Sequence, residues 1–207
     1  MANKVHCKLG VLVSGGGTNL QAIIDCIEAG EINAEICCVI SNNAGAYALT
    51  RAKKHGIPAV VHENNGFSNR REYDAATLKI LNGYDVELVI LAGFMRILTE
   101  AMVDAFPNAI MNIHPALLPA FPGLHAQKQA LEYGVRYSGC TVHFVDSGTD
   151  TGPIILQSIV PVEQDDTEDS LSARIQKEEH RTFPAAIRLY AEGRIKVEGR
   201  HVRISLS

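Results

Sequence analysis

An asparagine and a histidine stand two residues apart at the end of an apolar run, in Ile110-Met111-Asn112-Ile113-His114-Pro115. Side chains alternate along a β-strand, so Asn112 and His114 share one face. Pro115 cannot continue a central ladder, and the strand is expected to end there. Open α/β sheets bind ligands beyond the carboxyl ends of their strands, which is where such a pair would sit. An amide and an imidazole together can hydrogen-bond a developing negative charge and move a proton. Either residue alone is as consistent with a satisfied core position. The pair is harder to place that way, because Asn is depleted in strands and costs free energy when buried without partners.

A second candidate is Ser14-Gly15-Gly16-Gly17-Thr18-Asn19, between a strand-like run and a helix-like one. Glycines let backbone N–H groups approach a ligand, and a helix N-terminus favours an anion there. The dinucleotide fingerprint is incomplete: Leu20 stands where a third Gly belongs, and Ser41-Asn42-Asn43 where an acid belongs. The Gly-Lys-Ser/Thr of nucleoside triphosphatases is absent too. A phosphate monoester is the ligand left. The competing reading is a tight turn with Thr18 or Asn19 capping the helix.

Two acids complete the candidates. Asp150 lies in Ser147-Gly148-Thr149-Asp150-Thr151-Gly152-Pro153, and by itself reads as a turn residue. Leu171 and Ile175 mark the apolar face of the last helix, and the next position on that face is Glu179. An acid in a core-facing register is either a misjudged helix phase or a site residue.

The elements that must position these groups follow from periodicity. Strands are expected over 9–13, 34–40, 59–62, 86–92 and 109–113, and helices over 20–29, 46–55, 70–81 and 99–106. This alternation predicts an α/β fold with a Rossmann-like doubly wound sheet. After a helix at 125–133, strands over 140–145 and 154–162 have a connection short enough for an antiparallel pair. The sheet is therefore expected to be mixed but mostly parallel. A last helix begins near Thr167 and runs towards Phe183-Pro184. A tail from Gly193 could add an edge strand.

Composition narrows the function classes. The 207 residues, 46% hydrophobic and 20% charged, suit one globular domain over 1–207. The net charge of −4, with no basic cluster, argues against nucleic acid as a partner. Five cysteines without a C-x-x-C pair read as small hydrophobes in a reducing compartment. Met1-Ala2-Asn3-Lys4 leads straight into a strand-like segment with no signal-peptide core, and no run is long enough for a membrane span. A cytoplasmic protein with no membrane partner is expected. A metal hydrolase built on His114, His125, His143 and Asp150 is disfavoured by the absence of a recognised ligand spacing.

Several longer motifs, taken in order, carry a resemblance. They are Leu91-Ala92-Gly93-Phe94-Met95-Arg96-Ile97-Leu98, Met111-Asn112-Ile113-His114-Pro115-Ala116-Leu117-Leu118-Pro119, Phe121-Pro122-Gly123 and Asp150-Thr151-Gly152-Pro153-Ile154-Ile155. With the glycine loop and Glu179-His180, they make the chain resemble the folate-dependent formyltransferases over nearly its whole length. The resemblance implies a Rossmann-like mixed sheet. It implies 10-formyltetrahydrofolate as co-substrate and formyl donor, a phosphorylated ribosyl glycinamide as acceptor, and no metal. By matching position, Asn112, His114 and Asp150 would be catalytic. Gly17, Thr18, Asn19 and Glu179 would bind the acceptor. Arg70, Met95, Arg96, Ile97, Leu98, Asn112, Asp146 and Asp150 would line the folate site. Ala116 and Ala120 depart from the Ser and Lys common among relatives, which touches only the fit of the substrate loop.

On this reading Asn112 and an imidazolium at His114 donate to a tetrahedral oxyanion. Asp150 favours the charged His and passes a proton. The alternative within the family is a transferase or hydrolase acting on another acceptor. Enzymes of the initiator-tRNA and formylfolate-hydrolase types are expected to carry a further domain. A nucleotide-binding regulatory module has no use for the Asn-His pair. A monomer and a homodimer are equally compatible with the sequence.

Overall fold

The apolar run that precedes the glycine loop forms β1 (Cys7–Val13), at the heart of a seven-stranded sheet. The computed structural model describes residues 6–205, so Met1–Lys4, read above for a leader, lies outside the described residues. β1 pairs in parallel with β2 (Ala34–Ser41) on one side and β4 (Leu88–Leu91) on the other. Beyond β2 lies β3 (Ala59–Val61), and beyond β4 lies β5 (Ile110–His114), both parallel. Then direction reverses: β6 (Tyr137–Phe144) runs antiparallel to β5, and β7 (Ile154–Pro161) antiparallel to β6. The order is β3-β2-β1-β4-β5-β6-β7. Successive connections leave β1 in opposite directions, so the crevice between β1 and β4 is the switch point where such sheets bind ligands.

The central strands are continuous hydrophobic runs because both faces are covered. Leu9, Val11, Leu12, Leu88, Val89 and Ile90 are wholly buried. Burying each such side chain contributes about 1.5–3 kcal/mol. The covering helices are α1 (Thr18–Glu28), α2 (Tyr47–Lys54), α3 (Arg70–Gly83), α4 (Glu100–Ala105), α5 (Ala126–Tyr133) and α6 (Glu168–Ala191). α1 turns Leu20, Ile23 and Ile24 inward and packs against α6.

The structure departs from the expected elements most clearly at four places. α1 starts two residues before Leu20, at Thr18, directly on the last glycine. β6 starts three residues before Cys140, at Tyr137, because pairing with β7 extends to Tyr137↔Pro161. α6 does not stop at Phe183-Pro184 but carries Pro184 in its interior for 24 residues in all. Pro184 forfeits one helical hydrogen bond. Phe183, Ala186 and Ile187 are wholly buried around it and hold the helix through the break. The tail does not extend the main sheet either. β8 (Ile195–Glu198) and β9 (His201–Ile204) pair with each other as a separate two-stranded hairpin. Among the described residues no helix is long and apolar enough to cross a membrane.

Candidate active site

Asn112 and His114 lie on the same face of β5, and the reversal at β6 brings the third group to them. In the antiparallel register Asn112 stands opposite His143, so the two side chains share that face. The Asn112 Nδ2 and His143 Nε2 are 3.1 Å apart. After Phe144 the chain doubles back across the face as the 145–153 loop. The turn is tight enough that a Cβ on Gly152 would collide with the Phe144 carbonyl. This return places Asp150, a turn residue by its sequence, 3.3 Å from His114 Nδ1 through Oδ2 and 3.7 Å from His143 Nε2 through Oδ1. Asp150 has a left-handed backbone (φ 55°), a conformation Asp tolerates better than most residues.

Both nitrogens of His114 face acceptors. The Nε2 lies 2.8 Å from the Phe121 carbonyl, and Nδ1 faces the Asp150 carboxylate. Phe121 is held at φ 55°, a strained conformation for a bulky side chain, and that conformation presents its carbonyl to the imidazole. Burial pushes His114 below the ordinary imidazole value, while Phe121 and Asp150 pull it back towards the charged form. Burial also pushes Asp150 up, but His143, the Gly123 N–H and His114 outweigh it and hold the carboxyl below its usual range. The Gly123 N–H donates to Asp150 Oδ2 at 2.8 Å. The His143 Nδ1 donates to the Phe144 carbonyl at 2.8 Å, and its Nε2 faces both the Asn112 amide at 3.1 Å and Asp150 Oδ1 at 3.7 Å. That fixes the Asn112 amide.

A cavity of about 120 Å³ opens beside this group, lined in part by Leu91, Ile97, Leu98, Asn112, Val145 and Asp150. Its 95–98 wall is pinned at both ends. The Met95 N–H donates to the Ser14 hydroxyl at 2.9 Å, and the Thr99 N–H donates to the buried Asp74 carboxylate at 2.7 Å. Between these pins Met95 and Ile97 are 70% and 59% exposed, an apolar display that a bound ligand would cover. The Arg96 guanidinium stacks on Tyr73 at 4.2 Å. Arg70, in the first turn of α3, lines the neighbouring surface with Ile97, and Asp146 lines the cavity itself.

Across the crevice lies the glycine loop. Gly17 has φ 70°, and a Cβ there would press within 2.6 Å of the Ala48 Cβ, so only glycine fits. No side chain caps α1 at Gly17, which removes the capping alternative. The Thr18 hydroxyl accepts from Gln176 at 3.1 Å. The Asn19 amide donates to Glu179 at 2.9 Å, and its Oδ1 is buried without a partner. Glu179 points inward from α6, as the apolar register required. Burial pushes its carboxyl above the usual value, and the Asn19 hydrogen bond opposes this.

The structure therefore brings Asn112, His114 and Asp150 together. It sets the 95–98 segment against them and joins Asn19 to Glu179 nearby. Reasoning from sequence weighed His143 only as a ligand of the disfavoured metal hydrolase, and it missed Asp74 and the Phe121 carbonyl. The register opposite Asn112 could have found His143; a backbone carbonyl leaves no residue-type signal. His125 stands apart, with Glu168 its acidic neighbour at 3.9 Å. Among the described residues no group of three or more His, Cys, Asp and Glu side chains is arranged to hold a metal. A larger groove of about 760 Å³ lies over the amino ends of β1 and β2 and holds none of these catalytic candidates.

The family model described as formyl transferase matches residues 7–187. The chain belongs to the formyl transferase family. Among its relatives, the phosphoribosylglycinamide formyltransferase of Escherichia coli strain K12 is 44% identical over 90% of this chain and 88% of its own length. A trifunctional purine biosynthetic protein of Drosophila melanogaster is 50% identical over 93% of this chain, which spans only 14% of that protein. The solved glycinamide ribonucleotide transformylase 1 of Symbiobacterium toebii superposes with a TM-score of 0.95. It is 54% identical, with 96% of this formyl transferase and 94% of that chain covered.

Proposed function

We propose that this formyl transferase moves the formyl group of 10-formyltetrahydrofolate to the amino group of 5'-phosphoribosylglycinamide, releasing tetrahydrofolate, as a step of purine biosynthesis. The observation that carries this is the meeting of Asn112, His114 and Asp150 in a crevice with an N–H-lined glycine loop on one side and a partly apolar slot on the other. The loop N–H groups of Gly17, Thr18 and Asn19 receive the acceptor's phosphate. Glu179, fixed by Asn19, faces the acceptor's polar body. The folate's ring end enters the slot formed by Met95, Arg96, Ile97, Leu98, Asn112 and Asp146, and Arg70 meets its anionic tail.

The acceptor's neutral amine attacks the formyl carbon, and the carbonyl electrons move to oxygen. Asn112 has one amide hydrogen committed to His143 and a second free for that oxyanion. The His114–Asp150 separation of 3.3 Å is longer than the ~2.7–2.9 Å of a closed charge-assisted hydrogen bond. The Nδ1 proton is thus available to the oxyanion, while Nε2 stays bound to Phe121. As the oxyanion collapses, the bond from carbon to the folate nitrogen breaks. The proton lost by the amine reaches that nitrogen by way of Asp150.

The reaction belongs in the cytoplasm. Cys7, Cys26, Cys37, Cys38 and Cys140 all stand as free thiols, in keeping with a reducing compartment. The test is purified protein with both substrates, following folate absorbance and formylated product together. Stoichiometric formyl transfer is expected. Folate released with formate as the sole product would make the chain a hydrolase instead.

A further inference from the structure

The carbonyls of the glycine loop are tied away from the crevice. Gly15 O accepts from the Ala48 N–H at 3.1 Å, Gly16 O from Arg51 Nε at 2.9 Å, and Gly17 O from the Gln21 N–H at 3.0 Å. Among the described residues, the loop N–H groups from Gly15 to Asn19 have no backbone acceptor. The loop is thus polarised, with its acceptors bound behind it and its donors unspent in front, as in an anion nest. Two of the three ties are backbone bonds that nearly any sequence could make. The middle one depends on a side chain.

We propose that Arg51 is a positioning residue for the acceptor's phosphate. It acts through the Gly16 peptide and touches no substrate. The Gly16 carbonyl and the Gly17 N–H belong to one rigid peptide plane and point in opposite directions. Holding one therefore aims the other. Arg51 is itself held for this task. Its NH1 donates to Gln21 Oε1 at 3.1 Å, and its guanidinium lies 5.0 Å from the Tyr47 ring centre. Gln21 Nε2 in turn donates to Asp25 at 2.8 Å, which orients the amide so that its oxygen faces Arg51. The Ala48 Cβ, under Gly17, completes a platform on which α2 supports the loop. Lysine does not replace this arrangement, because a terminal ammonium has neither the Nε position nor the planar fork.

The inference rests on the reading of the glycine loop as the phosphate site, and the experiment separates the two. Steady-state kinetics would compare Arg51→Lys, Arg51→Met and Gly17→Ala. Each is assayed with the phosphorylated acceptor and with its phosphate-free riboside, and inorganic phosphate is titrated as inhibitor. Losing a hydrogen bond from a charged donor costs roughly 10–100-fold. Both Arg51 variants are expected to raise the phosphorylated acceptor's KM by about that factor and to weaken phosphate inhibition in parallel. Turnover, folate KM and activity on the riboside should stay near wild type. Arg51→Lys keeps charge and stem, so it reports even where Arg51→Met fails to fold. If Gly17→Ala weakens phosphate binding but Arg51→Lys does not, the role of Arg51 is overturned and the loop reading stands. Gly17→Ala leaving phosphate binding intact overturns both. An equal loss on the riboside would also overturn it, making Arg51 a general structural prop.

Discussion

At the scale of single residues, the centre is a buried imidazole between two acceptors. Removing one oxyanion donor costs about 100–1,000-fold in rate. His114→Ala is expected to lose turnover by that factor with folate saturating, and near-wild-type turnover would remove His114 from the mechanism. Asp150→Asn keeps the left-handed backbone accessible, since Asn tolerates it as well as Asp does. It removes the negative charge that favours His114's protonated form. The sign follows: the His114 midpoint, already lowered by burial, should fall further in Asp150→Asn. An NMR titration of the imidazole would show this, and a midpoint that rises or stays fixed contradicts the pairing. The Asn112–His114 pair was legible because a strand's period places alternate residues on one face. Asp150 was not, because its approach to His114 depends on a loop returning across the sheet. Phe121 acts through its carbonyl, which no side-chain pattern records.

At the scale of elements, the strands and helices of the first half follow from alternating apolar runs. The departures arise where tertiary packing overrides a local signal. Pro184 marks a helix end by local rules, yet buried neighbours on both sides carry α6 past it. The start of α6 obeys local rules closely. The Thr167 hydroxyl accepts from the Ser170 N–H at 3.2 Å, and the Ser170 hydroxyl accepts from the Thr167 N–H at 2.9 Å. Asp166 lies beneath this box, paired with Arg174 at 2.6 Å. Thr167→Ala should cost about 0.5–2 kcal/mol, read as a lower midpoint in urea at unchanged slope. A midpoint equal to wild type would mean that the Asp166–Arg174 pair holds the helix start alone. Since Glu179 rides on α6, the proposed layout makes the acceptor's KM a second, independent gauge of that helix.

For the whole molecule, the site gathers groups from the first helix to the last, around the β1–β4 switch point. Substrates that bind only the folded chain should stabilise it by mass action, by about 2.7 kcal/mol at a hundredfold excess over Kd. Thermal unfolding with each substrate alone, and with inorganic phosphate, checks this. A Tm that neither substrate moves would contradict both halves of the site layout. Charge balance and composition set the broad class from the start, a globular protein without a nucleic-acid footprint. They carried nothing about the acceptor, because the proposed recognition rests on loop N–H groups and one buried acid.

The hydrogen bond from Asn19 to Glu179 joins residues 160 positions apart. On the ribosome, the glycine loop emerges 160 residues before Glu179. The loop is therefore made long before the partner on α6 that its Asn19 will bind. A nascent chain halted before α6 would have the Asn112–His114 strand and the loop, yet lack the wall that closes the acceptor's side. On the proposed layout, competence for acceptor binding would report that synthesis has passed Glu179 and that α6 has docked.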